Sequence, residues 1–241
     1  TEIIFRDNME DDVSNWAVTN SNGLSTGAWE RVDPNGTIYN SQMAAPEDDA
    51  TGGSQNTMCF ITENGEVGGS AGSADVDGGW TMLVSPELSL GGTDGIISYA
   101  RWFFDSQNSD QLETRISNDG GSTWVTAQTT FGTNAEWETS SFNISDFVEP
   151  TDQIRVAFIT EDAGSASIVE AGIDNFQLEI INCGTSCLGD VNADDIVDVT
   201  DLLAIIDAWG SSDETADVTG DGMVDIEDLL TVVGNWGSCD G

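Results

Sequence analysis

Through the first three quarters of the chain, apolar residues come in short runs that alternate with polar ones, broken by clusters of Gly, Asn, Asp and Ser. A period of two in segments rich in β-branched and aromatic side chains marks half-buried strands. It predicts strands over residues 96–104, 112–117, 123–130, 153–160 and 172–180, with a shorter one at 58–62. Asn118-Asp119-Gly120-Gly121 falls between two of them and predicts a tight hairpin turn, because these residues accept the backbone such turns require. Many short antiparallel strands in a segment of this length make a β-sandwich. The stretch 44–79, rich in Gly, Ser, Ala and Asp, predicts long surface loops around the short strand.

Beyond residue 181 the period changes. Leu202, Ile205, Ile206 and Trp209 have the i, i+3, i+4, i+7 spacing of one helix face, with Gly210 as a stop, and Leu229, Val232, Val233 and Trp236 repeat the stripe before Gly237. Two short amphipathic helices are predicted, each burying its stripe against the other. The chain thus divides into a domain at 1–181 and a smaller one at 182–241, with a brief join over 182–186.

Each helix closes one copy of a 27-residue repeat. Asp190-Val191-Asn192-Ala193-Asp194-Asp195-Ile196-Val197-Asp198-Val199-Thr200-Asp201 recurs as Asp217-Val218-Thr219-Gly220-Asp221-Gly222-Met223-Val224-Asp225-Ile226-Glu227-Asp228. Both copies put oxygen-bearing side chains at loop positions 1, 3, 5, 9 and 12, and a carbonyl at position 7 completes the shell with which a short loop wraps one Ca2+. A solvated acidic run would not repeat in register with apolar stripes. Asp195 stands at the turn position that Gly222 fills in the second copy, and Asp tolerates left-handed backbone better than most residues. Thr219 offers only a neutral hydroxyl at position 3, so the second loop is expected to bind more weakly.

The run G-D-x-N-x-D-x-x-V-D-x-x-D-L-L, duplicated in register over the last quarter of the chain, resembles the type I dockerin, a pair of half EF-hands. The resemblance implies that Asp190, Asn192, Asp194, Asp198 and Asp201 ligate one Ca2+, and Asp217, Thr219, Asp221, Asp225 and Asp228 a second, with the carbonyls of Ile196 and Met223. It also implies a cohesin-like β-sandwich partner, read at positions 10 and 11. Those are Val199 and Thr200 in one copy and Ile226 and Glu227 in the other, and their different chemistry implies one docking orientation.

In the first domain the landmarks run Phe5-Arg6-Asp7-Asn8-Met9-Glu10, Trp16, Trp29, Cys59-Phe60-Ile61-Thr62-Glu63-Asn64, Leu83-Val84-Ser85-Pro86-Glu87-Leu88, Ser117 to Trp124, Trp137, and Ala171-Gly172-Ile173-Asp174-Asn175-Phe176. This succession resembles the MAM-type jelly-roll modules of secreted bacterial proteins. It implies a non-catalytic sandwich serving adhesion, glycan binding or domain packing, with one more calcium for which Asp7, Glu10, Asp75, Asp77 and Asp174 are candidates. Turn and capping acids are the alternative for those five. The fold class expected is therefore mainly β, a jelly-roll β-sandwich followed by a small α-helical calcium-binding module. Most tryptophans belong in cores, with Trp209 and Trp236 in the helix stripes; Trp80 and Trp102 are the least tied to a core period and are candidates for stacking on sugar rings.

Composition narrows the chemistry. The chain has 44 Asp and Glu against five Lys and Arg, no His, and a formal net charge of −39. Such a surface repels nucleic acid and anionic headgroups, so neither nucleic acid nor membrane insertion is expected. Without His the usual zinc ligands and the Ser-His-Asp triad are gone, which points away from an enzyme, although a carboxylate pair for glycoside hydrolysis stays open. No apolar run approaches the roughly 20 residues that span a bilayer. The start at Thr1 without a charged and apolar leader leads us to expect a processed protein outside the cell or at its surface, where calcium is abundant. Cys59, Cys183, Cys187 and Cys239 permit three full disulfide pairings. Cys187 and Cys239 flank the repeat, and joining them would clamp a small module; Cys59 and Cys183 are bonded or free.

Three functions compete: an assembly protein whose module docks on a partner or on the next copy, head to tail; a carbohydrate-binding or adhesive module recruited through its dockerin; and a hydrolase, which the lack of His and Lys disfavours.

Overall fold

The computed structural model describes residues 1–11, 15–51, 56–133, 135–162, 167–181, 187–194 and 196–238. Asp195, Cys183, Cys239 and the join 182–186 lie outside them. The chain forms two compact units, Thr1–Ile181 and Asn182–Gly241.

The first unit holds β1 (Glu2–Asp7), β2 (Ala17–Asn20), β3 (Trp29–Val32), a two-residue ladder of β4 (Ile38–Tyr39) and β5 (Gln42–Met43), then β6 (Cys59–Thr62), β7 (Trp80–Val84), β8 (Asp94–Asp105), β9 (Gln111–Ser117), β10 (Val125–Phe131), β11 (Glu138–Asn143), β12 (Arg155–Glu161) and β13 (Val169–Ile181). One sheet runs β11-β8-β13-β6-β3, with β1 also on β13, and the other runs β10-β9-β12-β7-β2. Pairing within both is antiparallel, as a jelly-roll sandwich requires. The long β13 carries two neighbours on one side: β6 pairs with Gly172 and Ile173, and β1 with Phe176 to Ile180. Between those stretches its register with β8 shifts from Asp174 to Gln177, and Asn175 takes φ 49°. This bulge shifts the alternation by one residue, so that Ile173 and Phe176 both face the core while Asp174, on the other face, is buried against Ala50 and Thr51.

Alternate residues of the two sheets meet between them. Ile97, Tyr99 and Phe103 of β8 face Leu112 and Ile116 of β9 and Val156 and Phe158 of β12. Aromatic rings link the layers, with centroids 4.8 Å apart for Tyr99 and Phe158, 5.3 Å for Trp16 and Phe176, and 5.5 Å for Trp16 and Phe60. The turn after β9 is held by Asp119, whose carboxylate accepts from the Thr123 N–H and hydroxyl and from the Ser117 hydroxyl. Those bonds hold Asp119 down at about pKa 2, the Thr123 hydroxyl contributing most.

The second unit holds β14 (Ile196–Val197), α1 (Val199–Asp207), α2 (Ile226–Gly234) and β15 (Gly237–Ser238). The helices are shorter than their stripes. Trp209 and Trp236 fall beyond the helix ends and are half-exposed, as are Ile206 and Val233. Only the first half of each stripe packs inward: Leu202 and Ile205 with Leu229 and Val232, around Val197, Ala216 and Val224. The glycines after the tryptophans do more than stop the helices. Gly237 pairs with Val197 of the first loop, and Gly210 donates to the Val224 carbonyl of the second, so each loop is tied to the end of the other repeat.

Candidate functional site

In both repeats the turn into the helix is built from the calcium-loop residues themselves. Asp198 is the N-cap of α1 and accepts from the Thr200 N–H at 2.7 Å, while Asp201 reaches back to the Asp198 N–H at 2.8 Å. Asp225 and Asp228 repeat this capping box on α2, at 2.8 and 2.7 Å. Loop positions 9 and 12 thus also satisfy helix N–H groups that have no partner within the helix. The Thr200 hydroxyl and N–H hold the Asp198 carboxyl below its ordinary range.

Position 12 is the anchor. Asp201 and Asp228 are fully buried, and the other oxygen of each turns back into its loop. Asp201 Oδ1 accepts from the N–H groups of Val191 and Asn192, at 2.8 and 3.2 Å. Asp228 Oδ1 accepts from the Thr219 N–H and hydroxyl, both at 3.0 Å. Burial pushes the Asp228 carboxyl up, yet these bonds and the one from Asp225 outweigh it and leave it below the ordinary value.

The two loops then differ. In the first, Asp190, Asp194 and Asp201 bring ligand oxygens within 4.8 Å of one another, and among the described residues no other three acidic or Cys side chains do so. Asn192 lies between them, its amide donating to Asp194 at 2.9 Å. An all-oxygen set of this kind suits a hard divalent cation with flexible coordination, Ca2+ above all. In the second loop the Asp217 oxygens accept from the N–H groups of Gly220, Asp221 and Gly222, and the Thr219 hydroxyl donates to Asp228. The Thr219 hydroxyl is thus directed at Asp228, where the first loop has the Asn192 side chain directed at Asp194. Ile196 and Met223 occupy position 7, each beside a fully buried valine, Val197 and Val224. Position 4 is a detail sequence reasoning missed: Ala193 adopts φ 58°, where the second loop has Gly220 at φ 74°.

Val199, Thr200, Ile226 and Glu227, at positions 10 and 11, are all exposed. They begin a larger surface. Val199, Leu203 and Ile206 on α1 and Ile226, Leu230 and Val233 on α2 are about half-exposed, so each helix has a second apolar face beside the buried one. The i, i+4, i+7 spacing of these residues was visible in the sequence, but it was merged with the core stripe.

In the sandwich, Asp7, Glu10, Asp75, Asp77 and Asp174 do not converge on one point. Asp7 accepts from the Met9 N–H and the Trp16 indole, and Glu10 from the Met58 N–H. Asp174 accepts from the Ala50 N–H at 3.0 Å; burial above all, with Asp49 nearby, pushes it up to about 6. Asp75 is raised to about 6 as well, by burial and then by Asp77. Asp7 and Asp174 lie on β1 and β13 and the other three between strands, and no three of the five bring ligand oxygens within 4.8 Å of one another. Cys59 is buried and free, and Cys187 is disulfide-bonded. Trp102 is buried with its indole donating to the Ala44 carbonyl, so it offers no face to a sugar.

A family model of the type I dockerin domain matches residues 188–234. No curated protein matches the chain. Among solved structures, the chain is similar to a cleaved adhesin domain of Lys-gingipain from Porphyromonas gingivalis, at 15% identity and TM-score 0.47, covering 73% of this chain and 98% of that one. It is also similar to the CBM22-1 xylan-binding domain of Xyn10C from Paenibacillus barcinonensis, at 13% identity and TM-score 0.41, covering 75% and 95%. A third is TmCBM61, solved with β-1,4-galactotriose, at 15% identity and TM-score 0.42, covering 70% and 91%. At such identities the likeness concerns the fold alone. No helix among the described residues is long and apolar enough to cross a membrane.

Proposed function

We propose that this chain is a non-catalytic structural protein of the extracellular space whose C-terminal unit, folded around Ca2+, docks onto a β-sandwich. That sandwich belongs either to a cohesin-like partner or to the next copy of the same chain, head to tail. The observation that carries the reading is the second apolar face of α1 and α2, exposed although the unit's own core is already formed. Apolar surface gathered on one small unit marks a contact surface. The dockerin match over residues 188–234 supports its use against a cohesin-like sandwich. Two Ca2+, one per loop, would be held by Asp190, Asn192, Asp194, Asp201 and the Ile196 carbonyl, and by Asp217, Thr219, Asp221, Asp228 and the Met223 carbonyl. Asp198 and Asp225, busy as helix caps, act through water, as position 9 of such loops often does. The ions also offset part of the −39 charge that drives copies apart.

The test is sedimentation of the full chain in millimolar calcium and in EDTA, alone and mixed with a cohesin-like protein. Calcium-dependent complexes are expected, and Asp190→Ala with Asp217→Ala should abolish them while the sandwich stays folded. Polymers formed by the chain alone select the next copy as partner, and a one-to-one complex selects the cohesin. A chain that stays monomeric in every mixture rejects docking. The other reading, a carbohydrate-binding or adhesive module carried to an extracellular complex, uses the same docking unit but makes the sandwich the working surface.

A further inference from the structure

The outer face of the β11-β8-β13-β6-β3 sheet, away from the core, is not uniformly covered. Antiparallel pairing sets Arg6 of β1 beside Gln177 of β13, Gln177 beside Ser98 of β8, and Ser98 beside Ser141 of β11. Cross-strand partners share a face, so four polar side chains form one row across four strands, on the side opposite Ile97 and Tyr99. Above this row opens a groove of about 500 Å3, lined among others by Arg6, Asn8, Asn56, Ser98, Gln177 and Trp137. Its size is that of a small-molecule site.

Three features show a prepared surface rather than a gap in packing. The Ser98 Oγ is buried and has no hydrogen-bond partner. A desolvated hydroxyl left unpaired costs free energy, which rotation of the side chain towards the groove would let a ligand's hydroxyl recover. The Arg6 guanidinium is steered along the row by two bonds to the Gln177 side-chain oxygen, at 3.1 and 3.3 Å. Trp137 is fixed from three sides: its indole donates to the Asp48 carbonyl at 2.9 Å, its ring meets Trp102 edge-on at 5.9 Å, and it rests over Gly172. A Cβ on Gly172 would lie 2.7 Å from Cη2 of Trp137, so the glycine in the middle of β13 is what gives the ring its seat. A rigid, partly buried indole beside amides and hydroxyls, with Arg6 and Glu138 the charged side chains of the lining, needs little reorganisation to bind.

From this arrangement we propose that the groove binds a neutral oligosaccharide, with the apolar face of one sugar ring on Trp137 and its hydroxyls on Ser98, Gln177, Arg6, Asn8 and Asn56. Amide and hydroxyl side chains both donate and accept, which matches vicinal hydroxyls that do the same. The chain's charge of −39 disfavours anionic glycans and leaves the uncharged class. This inference deepens the carbohydrate-binding alternative and is independent of calcium-dependent docking, which the sedimentation experiment reads separately.

The experiment is calorimetric titration of the full chain, in millimolar calcium, with cellohexaose, xylohexaose, mannohexaose and a β-1,4-galactooligosaccharide. At least one should bind. Trp137→Ala should weaken that binding by about tenfold or more, the loss of one aromatic platform. Because Trp137 also packs on Trp102, Gln177→Ala and Ser98→Val serve as second variants that keep the indole seated; each is expected to lower affinity severalfold with an unchanged melting temperature. Trp80→Ala, on the other sheet, should leave binding as it was. No binding by any of the four sugars overturns the proposal. So does binding that survives Gln177→Ala and Ser98→Val but is lost in Trp80→Ala.

Discussion

The sandwich and the C-terminal unit use apolar residues in opposite ways. The sandwich turns its large side chains inward, with Tyr99, Phe158 and Phe176 fully buried and ring contacts running from sheet to sheet. The small unit fully buries little more than Val197, Ile205, Val224 and Val232, with Ala216, and among its described residues leaves eight aliphatic residues, Met223 and two tryptophans about half in water. A unit of that size has a poor ratio of buried to exposed surface and needs a second source of stability. The first is held by packing; the second has little packing of its own and, under the function proposed above, would be held by Ca2+ in its loops and would meet a partner with its apolar surface.

The strongest way to sharpen this contrast is a cavity in the sandwich. Phe158→Ala removes a fully buried ring in contact with Tyr99 and Phe176, and should cost about 3–5 kcal/mol. In calorimetry the sandwich transition should fall while that of the C-terminal unit stays put; movement of both together would mean the units are not energetically separate. Calcium removal is the mirror image. A ligand at a thousand times its Kd stabilises the form that binds it by about 4 kcal/mol, so EDTA should collapse the transition of the C-terminal unit and spare the sandwich. Identical traces with EDTA and with calcium would remove the loops from the account.

Cys187 gives the third test. If its bond runs to Cys239, both calcium units lie within one covalent loop, worth about 2–4 kcal/mol. Peptide mapping without reductant should recover that pair, and Cys187→Ser should lower the transition of the C-terminal unit only; a Cys187 peptide linked elsewhere refutes the clasp. The smallest effect belongs to the sandwich surface. Asp119 has its pKa lowered to about 2, so its contribution is complete above the unfolded carboxylate range near pH 4 and is lost as pH falls through about 2. Thr123→Val should raise that pKa towards the ordinary value, as seen by NMR titration. An unmoved value would show that the turn is not held by the hydroxyl.

The strands with clear alternation were legible in sequence: β8, β9, β10, β12 and β13 all overlap the predicted segments. The ones that escaped, β1 to β5, β7, β11, β14 and β15, are short, and several begin beside Gly- or Ser-rich loops that blur the period. The repeat with its oxygen-bearing positions was legible because spacing alone carries it. The direction of each helix face was not. Leu202 with Ile205 and Val199 with Leu203 are equally good stripes on a helix of nine residues, and only the packing of α1 on α2 decides which is buried.

Sequence by itself determined the two domains' composition, the alternation that builds sheets, the repeat with its oxygen-bearing side chains, and a net charge of −39 that disfavours polyanions. Those properties are local or additive along the chain. Tertiary structure alone decided the rest: that Gly237 and Gly210 cross over to tie each loop to the other repeat, that the bulge at Asn175 returns Phe176 to the core face, and that Arg6, Gln177 and Ser98 form one polar row. Each joins residues far apart in the chain, and strand register and helix packing, which set such meetings, depend on the whole core at once.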